Sequence, residues 1–333
     1  ARGIDVEEAL RRPFRQLLKP DIVVSALAVS ILLLVYYTAV GFGTIIYTTI
    51  FGFTLKDANG LANWNWIADA LALVAVGLLS DRLRVRKPFM LLGGVGTAVL
   101  LVVFLQQFGH HSGYYTLATI ISVLTVFLAF AYCPWMASFT ETVEARNPAL
   151  AATGLAIWAW IQRLVVFASF LVLPIVVSSM TPLVTYGGQV STLGSQYSSE
   201  LATAAVIKPD TLTALSTGKD PAAQAAAVAQ ISAAEHVSPA EATQKLVALG
   251  KVPPSALAFL NAHGAAVQRA ATDSPGEWKN WYWICFGGAG FFVLCIPLLK
   301  GRWSPRAARL DAEAHERRVQ EELAQLQLAD AAG

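Results

Sequence analysis

The residues best placed to do chemistry are charged groups set inside long apolar runs or at their ends. Asp69 stands near the middle of an apolar segment at 59–80, and Arg163 occupies a similar depth in AIWAWIQRLVVF, with Gln162 beside it. A charge at that depth in hydrocarbon is costly unless it is paired, protonated or facing water, so such a residue is a functional candidate. Facing a common cavity, Arg163 would bind an anionic group and Asp69 would titrate or offset its charge. A structural ion pair between helices is the competing reading. The second set lies in Gly77 to Lys87, GLLSDRLRVRK, where Arg82, Arg84, Arg86 and Lys87 follow Ser80-Asp81 and a new apolar run begins at Pro88. Asp81 sits at the C-terminal end of a helix, where the dipole disfavours an anion, and it calls for a cationic partner. The pair His110-His111 lacks further ligands, so no metal site is expected. No Gly-rich phosphate loop, Ser-His-Asp set or zinc spacing occurs, which argues against an ATP-driven pump or a hydrolase, and no enzyme activity or cofactor is expected.

The elements that position these groups are membrane-length. Hydrophobic residues make up 55 % of the 333 residues and charged residues 14 %, against roughly a quarter in a typical soluble protein. With a mean hydropathy of +0.53, the chain reads as an all-α integral membrane protein. Its net charge of +2 is scattered beside apolar segments, which argues against a nucleic-acid partner. Cys133, Cys285 and Cys295 lie within apolar segments and read as buried thiols.

Six segments, near 22–50, 59–80, 88–107, 114–138, 151–178 and 281–300, reach or approach the roughly twenty apolar residues that span a lipid bilayer. The Gly77 link is too short and too basic to be translocated, so it is assigned to the cytoplasm. Sixteen basic residues then fall on cytoplasmic portions, against Lys56 alone in the short outer links, as the positive-inside rule requires. Both ends are expected inside, in a multi-pass protein of the plasma (inner) membrane. Residues 1–20 form an interfacial helix, 21–178 hold five spans, 281–303 the last span, and 304–333 a charged helical tail. Trp278, Trp281 and Trp283 mark one interface of the last span and Trp303 the other, as aromatic belts do.

Between the last two spans lies an Ala-rich insert, 179–280, read as an extracytoplasmic helical cap or a loose pile of hairpins. Its helix starts are explicit: Asp220-Pro221, then Ser238-Pro239-Ala240-Glu241, then Pro253-Pro254 opening a helix to about Ala271. Each places a capping side chain or a proline where a helix begins.

The link Gly77, Leu79, Ser80, Asp81, Arg82, Arg86, Lys87 resembles the signature between the second and third helices of the major facilitator superfamily, which recurs between the eighth and ninth: Gly, any, Leu, small, Asp, Arg, any, Gly, Arg, Lys. Arg84 stands at the second glycine, and the Arg-Lys pair comes one residue late. FTETVEARNPALAATG, with Glu141, Glu144 and Arg146, is similar to the link between that family's tenth and eleventh helices.

The resemblance covers the membrane segments and leaves the insert aside. It implies the C-terminal six-helix half of a secondary transporter, working with an N-terminal six-helix half by alternating access. The cargo would be a small organic solute, with anions among the candidates, moved by proton symport. Asp81, Arg82, Arg86, Lys87 and Arg146 would belong to a cytoplasmic latch in which Glu141 pairs with Arg82. Tyr36, Tyr37, Thr38, Tyr47, Tyr132, Pro134 and Trp135 would line the central path, because the matching helices face it. Packing is the plainer reading for each aromatic. The alternative function is a non-transporting membrane protein that displays the insert as a binding or assembly module.

Overall fold

Long apolar runs broken by Pro, Gly and short polar links dictate helices. A computed structural model describes residues 13–110, 112–217, 220–306, 310, 313, 316, 317, 319 and 320, and these hold helices and turns with no strand. Residues 1–12, His111 and most of the expected charged tail lie outside the described residues. The chain forms two compact units: Ala1–Val177 with Pro275–Gly333, and Ser178–Ser274.

The first unit contains α1 (Pro20–Thr49, with a turn at Leu33), α2 (Leu55–Leu83), α3 (Lys87–Gln106), α4 (Tyr114–Arg146) and α5 (Ala151–Val176). Five helices among the described residues are long and apolar enough to cross a membrane: α1, α3, α4, the stretch Pro148–Val176 that contains α5, and Pro254–Leu298. Helix α2 covers the expected segment 59–80 but is not one of the five, and Asn59, Asn63, Asn65 and Asp69 dilute its apolar character. Large apolar side chains nevertheless stand outward, among them Leu71 (69 % exposed), Ile175 (80 %) and Leu294 (77 %). That arrangement is suited to hydrocarbon and unfavourable in water.

Helix α4 is central, packing against both α2 and α3. Small residues permit the closest approaches, as in membrane bundles generally. A Cβ on Gly93 would lie 2.2 Å from the backbone N of Ala131, so the α3 and α4 backbones touch. One on Gly288 would lie 2.9 Å from the carbonyl O of Ile31, whereas Gly287 faces open space. The start of α5 follows from Asn147-Pro148: Asn147 accepts from Ala149 N at 3.1 Å, and Pro148–Leu150 form a 3-10 turn leading into the helix. A side chain that accepts from an otherwise orphaned N–H is what a helix start needs.

The second unit contains α6 (Gly188–Gln196), α7 (Ser198–Val206), α8 (Pro209–Thr217), α9 (Pro221–Glu235) and α10 (Pro239–Leu249). The expected caps operate: Asp220 accepts from Ala222 N at 2.9 Å, and Ser238 with Glu241 forms a capping box, two backbone donors being satisfied reciprocally in the latter. Ile207, Ala227, Ile231, Ala242, Leu249, Val252 and Ala256 form a core of its own. Helix α11 spans Pro254–Cys295, where the sequence predicts a helix ending near Ala271 and a span beginning at 281. Pro275 removes one helical hydrogen bond, and the Ala-rich run before it and the buried aromatics after it keep the helix going.

Candidate functional site

Two groups of side chains in the first unit hold the residues singled out above. The first is built on the α2–α3 link. Helix α2 ends at Leu83, and Arg84 takes the left-handed conformation, φ +53°, with its N–H donating to the Asp81 carbonyl at 3.2 Å. This is a helix C-terminal position that glycine favours, and it is where the transporter signature has glycine and this chain has arginine. The turn brings Arg86 back over the end of α2. Its guanidinium donates to Ser80 Oγ at 2.9 Å, Asp81 Oδ1 at 2.6 Å and Glu141 Oε1 of α4 at 2.9 Å. Glu141 therefore meets Arg86 of the link and not Arg82, which stands exposed on the last turn of α2.

The Arg86 side chain is 16 % exposed while Asp81 and Glu141 are 68 % and 56 % exposed, so a part-buried cation is held by two wetted carboxylates. Burial opposes the Arg86 charge, but the hydrogen bonds and charges of Asp81 and Glu141 outweigh it and hold its pKa above the ordinary value, since both favour the charged form. Gly77, one turn before Asp81 on α2, faces α4, a Cβ there reaching 3.5 Å from Cys133 Sγ.

The chain after α11 closes over the same junction. The first N–H groups of an α-helix have no intrahelical acceptor. Those of Arg86 and Lys87 donate to the Arg302 carbonyl at 3.3 Å each. Ser138 donates to the Lys300 carbonyl. Lys87 donates to the Pro297 carbonyl at 3.1 Å, and its ammonium lies 5.3 Å from the Trp303 ring centroid, within reach of a cation–π attraction. Arg146 takes no part in this group. It bonds Asp21 Oδ2 at 2.8 Å and the Gln16 carbonyl at 3.0 Å, tying the end of α4 to the start of α1, with Lys300 4.0 Å from the same carboxylate.

The second group lies at mid-bundle. Tyr36 packs edge-on against Tyr37 (5.5 Å between centroids) and Trp66 (6.1 Å), and Asp69 is close enough to interact electrostatically with Tyr36 and Tyr132. Tyr132 stacks on Trp135 at 6.2 Å and meets Trp158 of α5 at 6.1 Å. Thus Tyr36, Tyr37, Asp69 and Tyr132 come together from α1, α2 and α4. Gln162 is 4 % exposed, and neither of its amide atoms, nor Trp158 Nε1, meets a hydrogen-bond partner among the described residues. Trp158 was not singled out from sequence, although it stands four residues before Gln162, on the same helix face.

Arg163 departs from expectation. It is exposed and donates to the Ala159 carbonyl of its own helix at 3.0 Å, and it forms no ion pair with Asp69. Adjacent positions point about 100° apart around a helix, so burying Gln162 turns Arg163 outward. Three expected path-lining residues serve packing: Trp135 is 1 % exposed and donates to Ser25 Oγ at 3.0 Å, Thr38 accepts from Trp281 Nε1 at 2.9 Å, and Pro134 is buried within α4. Tyr47 lines a small internal cavity of about 30 Å³ with Asn65, Thr125 and Tyr282, where Thr125 donates to Asn65 Oδ1. No family model, no curated protein and no solved structure matches this chain.

Proposed function

We propose that the chain is one half of a secondary transporter of the major facilitator type, working with a second six-helix half by alternating access. In this reading α2 joins the five apolar helices as a sixth span, both ends of the chain face the cytoplasm, the membrane is the plasma (inner) membrane, and residues 178–274 lie on the opposite side. The observation that carries it is the Asp81–Arg86–Glu141 junction. A part-buried arginine bridging two exposed carboxylates on separate elements costs little to open, since exposed ion pairs contribute about 1 kcal/mol or less each. Such a junction suits a latch that breaks and re-forms as two halves rock.

The mid-bundle group supplies the solute contacts. Gln162 and Trp158 offer unsatisfied hydrogen-bonding groups beside aromatic walls, a combination suited to a small organic solute. Asp69, near two tyrosines, is the group that would carry the coupling proton. With Arg163 turned outward, the reading moves from an anionic solute towards a polar neutral one.

The test is solute uptake driven by an imposed proton gradient, in vesicles carrying both halves and a panel of radiolabelled sugars, amino acids and organic acids. Gradient-dependent uptake that falls at least tenfold in Glu141→Gln and in Gln162→Leu is expected. Uptake of nothing in the panel, or uptake unaltered in both variants, would overturn the reading. A second function is favoured by a specific observation, the separate core of residues 178–274: a membrane protein that displays this unit as a binding module.

A further inference from the structure

The two ends of the first unit differ in charge. One end gathers the start of α1, the α2–α3 link, the end of α4 and the segment after α11. Arg86 and Lys87 there meet the Arg302 carbonyl, Arg146 and Lys300 meet Asp21, and Arg146 also meets the Gln16 carbonyl. Its described residues hold ten bases: two at 15–19, four at 82–87, Arg146, and three at 300–306. Four acids stand among them, Asp21, Asp81, Glu141 and Glu144. At the other end, ring contacts join Phe51 to Phe108 and Phe108 to Tyr282, and Lys56 and Lys279 are balanced by Asp57 and Glu277. The acids of the basic end are already committed: Arg86 takes Asp81 and Glu141, while Arg146 and Lys300 share Asp21. Arg15, Lys19, Arg82, Arg84 and Arg306 are exposed, and none forms an ion pair among the described residues. Interleaved with them, Leu18, Leu83, Leu298 and Trp303 also stand exposed.

We infer that this basic end is a docking surface for the anionic headgroups of membrane phospholipids. A guanidinium presents a planar fork of donors that matches phosphate oxygens, and the unpaired arginines here have no carboxylate competing for it. The apolar neighbours select a lipid over a soluble polyanion. A headgroup layer receives the cations at its phosphates and the leucines and Trp303 at the acyl boundary beneath, whereas nucleic acid would leave those side chains in water. The position agrees, since α1, α3, α4 and α11 each have an end here and belong to the stretches long and apolar enough to cross a membrane. Clusters of four to eight Lys or Arg at such helix ends attract acidic lipids. The inference rests on the membrane character of the chain, and neither on transport nor on which compartment this end faces.

The experiment uses the full chain reconstituted in phosphatidylcholine bilayers with a trace of spin-labelled phosphatidylglycerol or, separately, spin-labelled phosphatidylcholine. Electron paramagnetic resonance reads the fraction of each label immobilised at the protein. Phosphatidylglycerol is expected to associate at least about threefold more strongly at low salt. The preference should vanish near 1 M salt, where screening acts within about 3 Å. It should fall at least about twofold in Arg82→Gln with Arg84→Gln and, independently, in Lys19→Gln with Arg306→Gln. Lys56→Gln with Lys279→Gln, at the balanced end, should leave it unaltered. Tryptophan-monitored thermal unfolding identifies which variants retain the fold. Equal association of the two lipids would overturn the inference, as would a preference that persists in a folded basic-end variant or falls as far in the balanced-end one. Loss of the preference to poly-glutamate at matched charge would assign the surface to an acidic protein and overturn it too.

Discussion

Arg84→Gly should stabilise the protein. Arg84 sits at φ +53°, is exposed, and has its backbone N–H bonded to the Asp81 carbonyl. Left-handed backbone costs a residue with a Cβ about 1–2 kcal/mol. Glycine escapes that cost and gives back about 0.5–1 kcal/mol through its greater freedom in the unfolded chain. The net expectation is a gain of about 0.5–1 kcal/mol, since the exposed side chain offers nothing large to lose. Arg84→Ala keeps the backbone cost and should lie within about 0.5 kcal/mol of wild type. Arg84→Asn, which tolerates this conformation better than most residues, should fall between them. Thermal unfolding in detergent, followed through the nine tryptophans, reads the order Gly above Asn above Ala. Glycine equal to or below alanine would refute the assignment of a strained helix end at this position.

At the Arg86 junction, both carboxylates are more than half exposed. Asp81→Asn and Glu141→Gln should therefore each cost under about 1 kcal/mol in the same unfolding assay. Arg86→Ala also strips the bond to the buried Ser80. It should cost about 2 kcal/mol. A double-mutant cycle with Glu141→Ala should show coupling where one with Arg82→Ala shows none. A valine at Gly93 would collide with the α4 backbone, whereas a Cβ at Gly287 meets nothing within 4 Å. Gly93→Val should cost about 3 kcal/mol or prevent assembly, and Gly287→Ala should be neutral. Gln162→Leu removes an amide buried without partners among the described residues. It should raise the unfolding temperature, a gain of about 1–2 kcal/mol. A loss of stability there would mean that the amide is satisfied in the protein.

The helix ends and the charged links were legible because they are local chemistry. Ser238 with Glu241, Asp220 before Pro221 and Asn147 before Pro148 each satisfy backbone groups within three residues, and nothing distant alters that. The apolar runs likewise place helices long and apolar enough to cross a membrane, since apolarity is read along the chain. Arg86 was harder to see than Arg82, because which arginine reaches Glu141 depends on where α2 stops and on the left-handed turn at Arg84. For Asp69 and Arg163, sequence states depth, whereas packing against neighbouring helices decides which way each faces. One is therefore half-buried, within electrostatic range of Tyr36, and the other is turned outward. The bond from Arg146 to Asp21 and the bonds from Arg86 and Lys87 to the Arg302 carbonyl are of the same kind. They arise from contacts between residues far apart in the chain, and only the assembled structure decides those.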